Sequence, residues 1–402
     1  MEPAPARSGL RRILSHLRPP IATPHDTAPE LAEVEDAPWL FPHGTLAEAQ
    51  GRLARAVGAG ELRVEPLTKH IGAAVSGVRL ADGVPPALAT ALRAALLVHK
   101  VLVFRDQPLD HAQHIAVARS FGQVTLGHIA LRAPQYVVGG FPEVFELTRE
   151  GVPLEEARSK VEQVLAQYDG DSRVAWYKRW HTDITGSVNP PFLSVLRPAP
   201  GGIPSHSDDP AIAANNETCW VNLAAAYEAL SPAQKQRIEG LRAYHEHYDL
   251  GSVHPLVAVA PETQERVLFV SPLTLRRIEG LSQEESDDLC HELWAHAAVP
   301  EFTVRHRWQD EGDVIIWDNR PTMHLAPLGW PVLPDHRTMF RVTCRGQPLV
   351  GPTGFVSELK LGRPILCCEE ELAVGGWAGT EEGVDERPAG TTTFSKPPGW
   401  VQ

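Results

Sequence analysis

Cysteine is scarce in this chain: five in 402 residues, an odd number without metal-type spacing. That excludes a disulfide framework and argues for a reducing compartment. Cys367 and Cys368 are adjacent in a polar stretch, where they read as tail residues. No apolar run approaches the length of a membrane span, so no membrane-crossing helix is expected. Positive charge is short as well. Lys and Arg number 37 against 50 Asp and Glu, for a net charge of −13. A nucleic-acid partner would want a basic face, and this balance denies one. Internal repeats are missing too. What remains reads as a cytoplasmic protein whose partner is a small-molecule substrate, with a homo-oligomer left open.

At 402 residues the chain has ample length for a sizeable core, and one elaborated β-domain accommodates it as well as two or three domains. Residues 1–60 read as an N-terminal extension, disordered in part, because residues 1–40 are rich in Pro, Ala and Arg. Arg7, Arg11, Arg12 and Arg18 imitate a transit peptide. Acidic residues follow from Asp26 onward, so a flexible basic extension is the plainer reading. Thr45-Leu-Ala-Glu48 is a capping box. PPALATALRAALLVHK predicts a helix, KVLVFRD a strand, and Asp110 the cap of a second helix ending near Phe121-Gly122. HPLVAVAP, ERVLFVSP, EFTVRHRW, DVIIWD and TMFRVTC are strand-like, with a Glu-Gly-Asp turn joining two of them. Ser231-Pro232 and Ser282-x-x-Glu285 open further helices. From about residue 350 the composition turns Gly-, Glu- and Thr-rich, so 351–402 is expected to fray as a C-terminal tail. The predicted fold class is mainly β with flanking helices, a jelly-roll barrel over 61–350.

Three His-x-Asp triplets occur, and context separates them. His206-Ser207-Asp208 sits in IPSHSDDPAIAANNE, which reads as a solvated loop. His247-Tyr248-Asp249 belongs to the polar run YHEHYDLGSVHP and reads as a surface or rim segment. His181-Thr182-Asp183 differs, with Trp180 before it and the strand pattern PFLSVLRP after it. On a strand, residues i and i+2 share a face, so both side chains would project together. Far downstream come His324 and then Arg337. Two imidazoles and one carboxylate are the ligand set that holds non-haem Fe(II) and leaves coordination positions open. A guanidinium soon after the third ligand suits a carboxylate gripped at two points. The set describes a site for Fe(II), O2 and a keto-acid co-substrate. Asp318 and Asn319 lie nearby in sequence, but Trp-Asp-Asn-Arg reads as the turn that delivers His324, not as further ligands.

RWHTDITGSVNPPFLSVLRP, AAAYEALSP, RRIEGLS, EFTVRHRW, IIWDNRPTMH and DHRTMFRVT, in that order, resemble the taurine dioxygenase/2,4-dichlorophenoxyacetate dioxygenase (TauD/TfdA) family. These are Fe(II)- and 2-oxoglutarate-dependent oxygenases. IGAAVSGVRLADG and KVLVFRDQPLDHAQHIAVARSFGQV resemble the family's N-terminal blocks, so the likeness runs from about residue 65 to about residue 345. The resemblance implies a double-stranded β-helix core, with His181, Asp183 and His324 as metal ligands and catalytic centre. It implies oxidation, foremost hydroxylation, of a small organic substrate, an anionic one included, with 2-oxoglutarate leaving as succinate and CO2. Halogenating relatives of this enzyme class give up the carboxylate to make room for halide. Its presence at Asp183 therefore points to an oxygenase.

The resemblance also assigns contacts. Arg337 matches the residue that binds the distal carboxylate of 2-oxoglutarate. Arg341, four residues on and on the same strand face, reaches the substrate pocket or supports that same carboxylate. Thr218 matches the threonine that hydrogen-bonds the co-substrate, and His128 falls near the substrate-contacting histidine of the taurine enzymes. The chain departs from the family twice. An amphipathic helix is expected at 153–169, and residues 203–217 are inserted between Gly202 and Thr218. Long loops inside compact domains often serve as lids, so both are expected to flank the site and set substrate choice. Two other readings compete: a non-catalytic metal-binding or sensor protein on the same fold, and a zinc-dependent hydrolase. The sensor would have little need of Arg337. For the hydrolase, no separate catalytic carboxylate or nucleophile stands out.

Overall fold

The computed structural model describes residues 44–60, 62–127, 137–149, 180–203, 216–308, 311–325 and 337–374, with 153, 155–156, 159 and 384–385. Its main sheet has, in spatial order, β1 (Arg63–Pro66), β2 (Ala73–Ser76), β3 (Val101–Phe104), β14 (Val314–Asp318), β6 (Leu193–Pro198), β16 (Arg337–Cys344), β5 (Phe141–Arg149) and β4 (Val137–Val138). A three-stranded sheet, β13 (Thr303–Arg307), β7 (Glu217–Asn222) and β15 (Thr322–Leu325), packs against it. A third sheet runs β12 (Leu275–Ile278), β8 (Arg242–His247), β9 (Leu250–Pro255), β17 (Glu358–Gly362) and β18 (Val384–Asp385). The remaining pair is β10 (Val257–Val259) with β11 (Arg266–Leu268). Neighbours are antiparallel except β2 and β3, which the helix Pro86–His99 connects in parallel. The architecture is the expected jelly roll.

Alternation along the strands builds the two sides of the main sheet. Leu102, Phe104, Val314, Ile316, Phe340 and Val342 turn outward into a core shared with the helices Pro86–His99 and His111–Arg119. Val101, Val103, Ile315, Trp317 and Met339 turn inward, where they meet Trp220, Val304 and Trp308 of the smaller sheet. Both faces are buried, which is why these strands read as near-continuous apolar runs. The smaller sheet buries its other face, through Cys219, Val221, Met323 and Leu325, against the helices Leu223–Glu228 and Gln283–Ala297. The expected helix starts are present: Thr45, Asp110, Ser231 and Ser282 each cap a helix through a capping box. No helix among the described residues is long and apolar enough to cross a membrane.

The expected fraying from residue 350 does not hold for the described part of that stretch. β17 pairs with β9, Ile365 and Cys368 are about 1 % exposed, and Cys368–Ala373 forms a helix. Composition missed this because the binding is through-space: Asn189 receives the Ile365 N–H at 2.8 Å and donates to the Ile365 carbonyl at 2.9 Å.

Candidate active site

Inward parity selects the residues that can meet inside the barrel. Ser194 on β6, Thr218 on β7, His324 on β15 and Arg337 and Arg341 on β16 all share the phase of the inward apolar residues. His324 lies opposite Trp220 on β7 and is bridged on its other side to His181. The His181 N–H donates to the His324 carbonyl at 3.0 Å, and the His324 N–H donates back at 2.7 Å. Their rings lie 4.1 Å apart between centroids. This single bridge is all the strand pairing that the His-x-Asp triplet makes. Asp183 is instead the first residue of a turn, followed by Ile184 at φ 48°, a left-handed conformation that is costly for a β-branched side chain. Donor atoms of His181, Asp183 and His324 nevertheless converge within 4.8 Å of one another, and no other such group occurs among the described residues.

The surroundings fix the carboxylate. Asp183 Oδ2 accepts from Ser194 Oγ at 3.0 Å, Ser194 accepts from Asn319 Nδ2 at 2.9 Å, and Asn319 Oδ1 accepts from Trp317 Nε1 at 2.7 Å. Arg341 donates to the other oxygen, Oδ1, at 2.7 Å. Burial works against ionisation of Asp183. Arg341, the two histidines and the Ser194 hydrogen bond together outweigh it, Arg341 the most among them, so the carboxyl is held well below its usual range. Burial, then His181, pushes His324 far below the ordinary imidazole value, leaving it neutral with a lone pair to offer. Its Nδ1 is buried without a hydrogen-bond partner.

The turn after Asp183 is held from behind. Thr185 Oγ1 hydrogen-bonds His245 Nδ1 at 3.0 Å and also Thr274, while the Thr185 carbonyl meets His254 Nε2 at 2.8 Å. Gly186 packs so closely on the β8–β9 hairpin that a Cβ there would stand 2.5 Å from the Leu250 carbonyl oxygen. Only glycine fits.

Of the remaining expected contacts, Arg337 and Arg341 are both buried on the inward face of β16. Arg341 stacks over Phe145, 5.3 Å from its centroid, and reaches Asp183 directly. Thr218 is buried, and its hydroxyl accepts from Trp308 Nε1 at 2.9 Å, which leaves its own proton free for a ligand. Asp318 is engaged with Arg320, and Asn319 with Ser194, in keeping with a turn rather than extra ligands. His128, the His206–Asp208 triplet, most of the helix expected at 153–169 and most of 203–217 lie outside the described residues. Besides the strand placement of Asp183, a second reading of the sequence is overturned. His247 is 4 % exposed, not a surface residue, and its electrostatic neighbours include His181, Asp183 and Arg341. Ser194 was missed as well. Its inward phase on β6 was the available signal for it, and the same alternation through YHEHYD for His247.

Two imidazoles, one carboxylate and an unpartnered His324 nitrogen are a donor set that fits a divalent first-row metal such as Fe(II). Comparisons with known proteins agree. The family model described as "Taurine catabolism dioxygenase TauD, TfdA family" matches residues 63–343. An α-ketoglutarate-dependent sulfate ester dioxygenase of Pseudomonas putida is 32 % identical over 335 residues, covering 76 % of this chain and 96 % of that protein. An alkylsulfatase of Acinetobacter baylyi is 30 % identical over 343 residues, covering 78 % of this chain and 94 % of that one. Among solved structures, a taurine dioxygenase from Burkholderia xenovorans superposes with a TM-score of 0.61 at 40 % identity, covering 74 % of this chain and 96 % of its own.

Proposed function

This chain belongs to the TauD/TfdA family of dioxygenases, and on that premise we propose that His181, Asp183 and His324 hold one Fe(II) and that the substrate is a small organic sulfur oxyanion. The protein is an Fe(II)- and 2-oxoglutarate-dependent dioxygenase that oxidises a small organic molecule. When bound, the metal, 2-oxoglutarate and O2 supply the oxidising chemistry, with succinate and CO2 as co-products. The chain's own residues do the rest. Ser194 and Arg341 orient the Asp183 carboxylate, Arg337 offers a buried cation to the distal carboxylate of 2-oxoglutarate, and Thr218 offers a hydroxyl. The apolar wall of Trp220, Trp308 and Trp317 excludes water.

The observation that carries the reading is the convergence of the three donor groups with Arg341 in contact with Asp183. Support for a sulfate ester or sulfonate comes from relatives named for those substrates and from the buried cation at Arg341. The inserts at 153–169 and 203–217, each adjoining a site segment, are proposed to set which such anion enters. Five free, buried cysteines support the cytoplasmic placement. The test is turnover of hexyl sulfate and of hexane-1-sulfonate. Hydroxylation of the carbon bearing the sulfur group gives an aldehyde, with inorganic sulfate from the ester or sulfite from the sulfonate, one per succinate. If neither compound raises succinate formation above the substrate-free rate, the sulfur-oxyanion reading fails.

A further inference from the structure

β8 ends in Tyr244-His245-Glu246-His247, every residue of it buried. Alternation puts His245 and His247 on one face, toward the turn that follows Asp183. His245 is tied to that turn through Thr185. His247 is not. Neither of its ring nitrogens has a hydrogen-bond partner among the described residues, although the side chain is 4 % exposed. Its ring meets Tyr248, 4.4 Å between centroids. A Cβ on Gly186 would stand 3.1 Å from that of His247, so the residue sits directly against the segment three positions past Asp183.

Folded proteins rarely bury a polar ring with both nitrogens unsatisfied unless something else completes it. The charged and ionisable groups around this ring are His181, Arg276, Asp183 and Arg341: three of the four belong to the site already described. Arg276 is engaged elsewhere, donating to the Glu246 carbonyl at 2.8 Å. Burial, then His181, pushes the His247 imidazole down to about 3, so it is neutral and carries one N–H donor and one acceptor.

We propose that His247 is a substrate-contacting residue, its imidazole N–H donating a hydrogen bond to an oxygen of the anionic primary substrate beside the triad and Arg341. It complements Arg341 without adding charge: the guanidinium balances the anion, and His247 selects where its oxygens lie. The inference rests on the sulfur-oxyanion reading above.

The experiment titrates hexyl sulfate and hexane-1-sulfonate into the anaerobic Fe(II)–2-oxoglutarate protein, read by the shift of the chelate's charge-transfer absorption. In His247→Phe, 2-oxoglutarate affinity should equal that of the wild type while affinity for the bound probe falls about 10- to 100-fold, the range for one hydrogen bond to a charged group. His247→Gln, which keeps a donor, should recover most of that loss. Unchanged probe affinity in His247→Phe overturns the proposal, and so does a loss confined to 2-oxoglutarate, which would assign the ring to the co-substrate. A wild type that binds neither probe removes the sulfur-oxyanion reading and this contact with it. Binding by the wild type with no effect of His247 removes the contact alone. Should His247→Phe not fold, the unaltered protein decides. Labelled with 15N-histidine and loaded with Zn(II) and 2-oxoglutarate, it should show one imidazole resonance, absent from His247→Gln, that moves on adding hexyl sulfate; no movement overturns the proposal.

Discussion

Asp183 is the residue on which most of the site's interactions meet. One oxygen faces Ser194 and the other Arg341, so neither is left to find its own orientation. Asp183→Ala should remove most bound iron and all turnover, measured by metal content after dialysis; full activity in that variant would sink the triad. Ser194→Ala tests the support rather than the ligand. Loss of an outer hydrogen bond of this kind typically weakens metal affinity about 10- to 100-fold, and a Co(II) titration should show it. The two arginines divide differently. Arg337→Ala should lower affinity for 2-oxoglutarate by two to four orders of magnitude, about 3–5 kcal/mol, because a buried carboxylate loses its partner. Arg337→Lys should do little better, since an ammonium cannot reproduce a planar two-point grip. Arg341→Ala should act more on the primary substrate, and its contact with Asp183 predicts some loss of metal affinity besides. Weak 2-oxoglutarate binding in Arg341→Ala with normal binding in Arg337→Ala would reverse the two roles. The convergence of His181, Asp183 and His324 was legible from residue type, order and the family blocks around them, and alternation put both arginines on the inward face of β16. For Ser194 and His247 alternation gives the face, but not the neighbours distant in sequence that place them at the site.

At the scale of elements, alternation was the readable signal, and the turn after Asp183 was the unreadable one. The strand pattern of IIWD and TMFRVTC correctly puts Arg337 and Arg341 on one face. The same logic treated His181 and Asp183 as a strand pair, but Asp183 lies in a turn with left-handed Ile184, held by Thr185 and its two histidines. No local propensity favours that conformation; packing imposes it. The turn from β14 to β15 is built differently, on charge. Arg320 donates to Asp318 Oδ2 at 2.6 Å and to both oxygens of Glu262, which also lies 3.8 Å from Arg93. Arg320→Ala leaves two buried carboxylates without their main partner and should cost about 3–5 kcal/mol of stability, read from denaturant unfolding. Burial alone would raise Glu262, but Arg320 and Arg93 hold it below its ordinary 4.5. A depressed folded value means the stabilisation is complete above about 4.5 and is lost as pH falls toward the folded value. Wild-type stability should therefore fall more steeply below that pH than stability of the Arg320→Ala protein; parallel curves would show that the cluster contributes nothing.

For the whole molecule, the barrel alone does not complete the site. The hairpin of β8 and β9 lies behind the Asp183 turn, and residues 357–371 extend its sheet through β17 and pack Ile365 against Ile184 of the turn itself. Ser357 Oγ meets His254 Nδ1 at 2.7 Å, and His254 in turn meets the Thr185 carbonyl. Ile365 exchanges two hydrogen bonds with Asn189, at the far end of the same turn, and the Cys368 N–H donates to the Val124 carbonyl at 2.8 Å. Arg363 grips Glu371 at two points and closes the segment on itself. A stretch that composition marks as a fraying tail thus braces both the hairpin and the turn that carries the metal ligand. Ending the chain after Val356 removes the pairing with β9, the partners of His254 and Asn189, and a buried isoleucine. Hydrogen bonds of about 1 kcal/mol each and burial of one such side chain at about 1.5–3 kcal/mol put the combined loss at several kcal/mol. Because part of it falls on the Asp183 turn, two measurements should move together: the melting temperature should drop, and Co(II) affinity should drop at temperatures where the shortened chain is still folded. A shortened chain that melts lower but binds metal as tightly would confine the segment to stability, and one unchanged in both would make it a passive covering.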